Sequence, residues 1–161
     1  MGVVYAPMTD EIYTSIRGHG CFRNGVRIST SKPVKKLKDA VVNYEFGYDH
    51  ENLAIKHMTG AVENIMKNGC RTTRCLGSGV LDLCYVATGR LDVVYAGVAS
   101  EGRKPWDYCA ANVIVEEAGG VTESLINQKP GECFDLYSKS VVCATTRELL
   151  EETPDVVLKN L

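Results

Sequence analysis

The stretch "KPWDYCAANVIVEEAGG", Lys104 to Gly120, sets Trp-Asp at the mouth of a helical pattern and Gly-Gly at its exit. Asp107 offers carboxylate oxygens on a short side chain. Magnesium takes oxygen ligands, usually one or two carboxylates together with waters and a substrate phosphate. Trp106 could wall such a site. The same residues also suit a plain capped helix. Pro105 loses nothing at a first turn, Asp107 complements the helix dipole, and Gly119-Gly120 ends the helix before Val121. Cys109, Ala110, Val113, Ile114 and Ala118 recur at helical spacing and predict its buried face.

Two further stretches carry candidate chemistry. "CLGSGVLDLCYVATG" puts Gly77-Ser78-Gly79 between a strand and a helix, where backbone N–H groups at a helix start can meet an anion or a ring of hydroxyls. Ser78 is equally suited to cap that helix. No Gly-Lys-Ser/Thr follows, so this is not a Walker loop. Glu101, in "GVASEGRKPWD", could accept hydrogen bonds from substrate hydroxyls or stand as a solvated loop charge.

The elements that must position these residues alternate. Residues 2 to 30 predict an antiparallel meander, with Asn24-Gly25 as its hairpin turn. "AVVNYEF" predicts a strand, and the following helix has Leu53, Ile55, Met58, Val62, Ile65 and Met66 near one face and Gly69 at its end. Then come a short strand in "CRTTRCLG", the helix to Gly89, the strand "LDVVYAGV", the Trp-Asp helix, strands in "VTES" and "SVVCATT", and a terminal helix interrupted by Pro154. Strand alternating with helix predicts an α/β layer with parallel or mixed sheet. Residues 1–161 are expected to form a single domain.

Composition excludes several classes. Net charge is −2 with mixed signs, and the longest basic run, "KPVKKLK", is short, so neither nucleic acid nor a membrane surface is an expected partner. The seven cysteines contain no Cys-x-x-Cys pair and mostly sit in apolar runs, which predicts free, mainly buried thiols in a reducing, cytoplasmic setting. With only His19, His50 and His57 beside them, a zinc or redox role is not expected.

Taken together, "GVVYAPMTDEIYTSIRGHGCFRNG", "LGSGVLDLCYVATGRLDVVY" and "PWDYCAANVIVEEAGG" resemble, in order, three segments of the inositol monophosphatase family. The resemblance implies a layered α/β sandwich of the sugar-phosphatase type and Mg²⁺-dependent hydrolysis of myo-inositol phosphate to myo-inositol and phosphate. It implies Asp107 as a metal ligand near substrate, Gly77, Ser78 and Gly79 as the loop touching substrate hydroxyls, and Glu101 as the inositol-binding glutamate. It also implies a homodimer, or association with a full-length subunit.

This sequence departs from the family in three places. Tyr48 and Asp49 stand where a serine approaches substrate, and the segment before Trp106 is longer. The upstream Asp-Pro-x-Asp-Gly-Thr motif and its preceding metal-binding glutamate are not found. No catalytic residue is therefore assigned, and the chain is expected to represent the C-terminal part of the family's architecture, with part of the active site missing. One face of its sheet is expected to be apolar and uncovered, leaving the isolated chain poorly soluble or oligomeric. A non-catalytic, subunit-binding role and a phosphatase for a nucleotide or sugar phosphate are the alternatives.

Overall fold

Two β-sheets share a helical layer between them. The structure, a computed structural model, describes residues 1–30, 34–100, 104–127 and 132–161. The first sheet is the predicted meander: β1 (Gly2–Ala6), β2 (Glu11–Ile16), β3 (Gly20–Arg23) and β4 (Val26–Ile28), all antiparallel in the order β1-β2-β3-β4. Asn24 and Gly25 both adopt positive φ (48° and 77°), the geometry a two-residue hairpin turn requires. The Asn24 side chain also joins the β2 start, accepting from the Ile12 amide at 2.7 Å and donating to the Asp10 carbonyl.

The second sheet is mixed, in the order β6-β5-β7-β9-β8, built from β5 (Val41–Glu45), β6 (Thr72–Arg74), β7 (Val93–Ala96), β8 (Val121–Glu123) and β9 (Val141–Ala144). β5 runs parallel to β6 and β7, while β9 pairs antiparallel with β7 and β8. All four residues of both β7 and β9 are buried, because helices cover both faces of the sheet. Val94, Ala96, Val141 and Cys143 enter one core with α2 (Gly79–Ala87) and α3 (Pro105–Ala118). Val93, Tyr95, Val142 and Ala144 enter the other, with α1 (Asn52–Asn68) and α4 (Arg147–Val157). The layers thus run meander sheet, α2 and α3, mixed sheet, α1 and α4.

Polar side chains tie the layers as well. Glu117 on α3 accepts from the Gly18 and Gly20 amides of the β2–β3 turn, both at 2.7 Å, and the Ser15 hydroxyl donates to the Val113 carbonyl. Arg90, just past α2, makes a two-pronged pair with Glu11 of β2 at 2.9 and 2.5 Å. That pairing, with Tyr13 also donating to Glu11, holds the Glu11 carboxyl down to about 2 despite the opposing effect of burial.

Four expectations are corrected. In α1 the buried row is Ala54, Met58, Ala61 and Ile65, whereas Leu53, Ile55 and Met66 face solvent. Ala61 and Ile65 join the core that α1 shares with α4. In α3 Cys109 is exposed and Tyr108 is buried, and the unbroken buried run Ala111 to Val115 reflects a helix enclosed between two sheets. Pro154 does not interrupt α4, which continues to Val157. The Thr153 hydroxyl bonds the Leu149 carbonyl beside the amide that Pro154 cannot supply. Finally, only Cys21, Cys84 and Cys143 are buried; Cys75, Cys109 and Cys133 are exposed, and none of the seven forms a disulfide.

Candidate functional site

β5, the loop into α2, the end of β7 and the start of α3 come together around a cavity of about 570 Å³. Its walls include Gly77, Gly79, Asp107, Glu45 and Tyr48. Strand ends and helix starts meet there because β5 and β7 are parallel neighbours, which sends both chains out of the sheet on the same side.

Asp107 caps its helix and lines the cavity at once. Its Oδ2 accepts the Lys104 backbone N–H at 2.9 Å, half of a capping box, so the carboxylate is fixed at the third helical position while lining the cavity. Lys104 lines the same cavity, and Trp106 stands at its lip, 72% exposed.

The Gly77-Ser78-Gly79 loop is placed as expected, but its amides are not all open to an anion. Glu45 Oε1 accepts the Leu76 and Gly77 N–H groups at 3.1 and 2.7 Å, and the Asn43 amide at 3.3 Å. A carboxylate pinned under the loop repels a phosphate, so this side of the cavity suits neutral hydroxyls better than an anion. Gly77 and Gly79 line the cavity, while Ser78 precedes α2 without a side-chain capping bond. Glu101 lies outside the described residues.

Glu45, Tyr48, Gly97 and Lys104 are cavity residues that sequence reasoning did not single out as a set. The one available signal for Glu45 was a charge at the end of the apolar strand "AVVNYEF". Gly97 is explained by space. It has φ of 80°, and a Cβ there would lie 2.1 Å from the Lys139 carbonyl oxygen. Only glycine lets the end of β7 pass so close to the Lys139 backbone.

A Mg²⁺ shell is not completed by these residues. Asp107 brings one carboxylate, with one oxygen engaged by Lys104, and the Oε1 of Glu45 is already taken by three donors. Among the described residues there is no group of three or more His, Cys, Asp or Glu able to hold a metal ion. The donor set supplies a single ligand where metal-assisted phosphate chemistry needs several.

The layered sandwich with its strand-end cavity defines the class of fold, and comparison with known proteins specifies the family. The model of the inositol monophosphatase family matches residues 1–158, and the chain belongs to that family. Inositol monophosphatase 1 of Solanum lycopersicum is 38% identical over 152 residues, which are 94% of this chain and 52% of that protein. Inositol monophosphatase of Dictyostelium discoideum is 34% identical over 140 residues, 87% of this chain and 48% of that one. The crystal structure of the suhB protein of Bartonella henselae superposes with a TM-score of 0.82 at 26% identity, over 99% of this chain and 57% of its own. The chain thus spans about half the length of the curated relatives it matches.

Proposed function

We propose that this chain carries the substrate-side part of a Mg²⁺-dependent phosphomonoesterase that converts myo-inositol phosphate and water to myo-inositol and phosphate. The observation that carries this reading is the convergence of Asp107 with Gly77 and Gly79 on one cavity, in a chain of this family. In this reading the loop at Gly77–Gly79 receives the ring hydroxyls and Lys104 attracts the phosphate. Asp107 is one ligand of the metal, and the other ligands come from outside the described residues. Glu101 completes the hydroxyl contacts. The protein works in the cytoplasm, with residues 1–161 acting as one unit that joins a second polypeptide, a further copy or a full-length subunit. Among the described residues no helix is long and apolar enough to cross a membrane.

Trp106 is the single tryptophan and borders the cavity, so its fluorescence reports binding directly. Titration with inositol 1-phosphate in Mg²⁺ is expected to change that emission saturably, and Asp107→Asn is expected to remove the Mg²⁺ dependence. Phosphate release by the chain alone is expected to be absent. A flat titration, or one identical in Asp107→Asn, sinks the reading. Mg²⁺-dependent turnover by the isolated chain would show that the metal site is complete after all.

A further inference from the structure

Glu45, the last residue of β5, uses only one side of its carboxylate. Oε1 takes three donors: the Gly77 amide at 2.7 Å, the Leu76 amide at 3.1 Å and the Asn43 side chain at 3.3 Å. Oε2 takes no hydrogen bond among the described residues, and no ion pair there offsets the charge. That second oxygen is not sealed in the core. Glu45 is half-buried and lines the cavity, and water reaches Oε2. A carboxylate has about four lone-pair sites. The loop consumes those of one oxygen and leaves two acceptor sites to which the chain brings no donor.

The surroundings hold this orientation. Asn43 is fully buried and turns its Nδ2 towards Glu45, while its own Oδ1 has no partner. Turning that amide over would set two acceptor oxygens against each other. Ala96 is the neighbour of Glu45 in register on β7, and Gly77, Gly79 and Gly97 line the same cavity, so these positions place nothing larger than a methyl group there. Three kinds of ligand can meet a free carboxylate oxygen. An anion is repelled. A cation meets Lys104 in the same cavity and, among the described residues, no cluster of three metal-ligating side chains. A neutral hydroxyl donates in a short, charge-assisted bond, roughly twice as strong as one between neutral groups. Phe46 and Trp106, both exposed on the cavity wall, offer apolar surface to the C–H side of a polyol ring.

We propose that Glu45 is a ligand-binding residue with two duties: Oε1 holds the Leu76–Gly77 segment of the loop, and Oε2 accepts hydrogen bonds from neighbouring hydroxyls of a polyol. This rests on the polyol part of the function proposed above, and on neither its metal nor its phosphate chemistry.

The test titrates the whole chain, without Mg²⁺, with myo-inositol and with its hexa-O-methyl ether, which keeps the ring but cannot donate. Amide chemical shifts of Leu76 and Gly77 are followed up to the solubility limit of each ligand. Myo-inositol is expected to move both amides saturably, and the ether to move neither. Glu45→Gln keeps one oxygen for the two amides and replaces the other by an NH₂ donor. It should weaken myo-inositol binding roughly fivefold or more, while hydrogen exchange at Leu76 and Gly77 stays at the wild-type rate. A wild-type chain that ignores myo-inositol, or takes both ligands equally, overturns the proposal; this comparison stands even if the variant fails to fold. A folded Glu45→Gln chain that binds like the wild type overturns it too. So does one that loses binding together with the protection of Leu76 and Gly77, since Glu45 then acts only through the loop. If myo-inositol binds through Glu45 while inositol 1-phosphate shows no dependence on Mg²⁺, the proposal stands and the phosphatase reading fails.

Discussion

Asp107 serves a cap with one oxygen and lines the cavity, and two substitutions separate those duties. Asp107→Asn keeps an acceptor for the Lys104 amide, so its stability loss should stay below about 1 kcal/mol while any Mg²⁺ dependence of ligand binding disappears. Asp107→Ala removes both, and should cost roughly 1–2 kcal/mol as well. Urea titrations of the two variants beside the wild type check this, and equal losses would mean that the cap contributes nothing. Gly97→Ala presents a sharper case. Left-handed backbone and a carbonyl 2.1 Å from the new Cβ should together cost about 2–5 kcal/mol, read as a lower urea midpoint with an unchanged slope.

Among elements, the join between β2 and the end of α2 rests on Glu11 and Arg90. The Glu11 carboxyl is held at about 2, well below its ordinary 4.5. A depressed carboxyl stabilises the fold fully above the unfolded value, and that stability is lost as pH falls from about 5 towards 2. The loss should reach up to roughly 3 kcal/mol, reduced by solvent around the partly exposed Arg90. Chemical denaturation at pH 7, 5, 4 and 3 should show the decline, and Glu11→Gln should flatten it. A wild-type slope retained in Glu11→Gln would place the acid sensitivity elsewhere. At the other end of the chain, Thr146 caps α4 by accepting the Leu149 amide at 3.2 Å, and Thr146→Ala should cost about 1 kcal/mol in the same assay.

Over the whole molecule, burial divides the thiols. Cys21 and Cys84 lie in the core, where burial raises their ionisation to about 11 and about 12. A thiol reagent at pH 8 should therefore label Cys75, Cys109 and Cys133 rapidly, and Cys21, Cys84 and Cys143 only after unfolding. Fast labelling of all seven in the native protein would contradict the layered packing.

What the sequence by itself determined was local. Asn24-Gly25 dictates its hairpin because few other pairs accept two positive φ values. The alternation of strand and helix placed the strands and α-helices to within a few residues, though not the short 3-10 helix Leu37–Asp39, and the motif around Asp107 located the mouth of the cavity. An uncovered apolar sheet face was expected from the family resemblance, and the fold supplies its residues, Val3, Tyr5, Ile12 and Ile16, all exposed. Only the tertiary structure decided the rest. Glu45 meets the amides of Leu76 and Gly77 because β5 ends beside a loop more than thirty residues away. The true buried rows of α1 and α3 depend on how many layers touch each helix, and periodicity counts one face at a time.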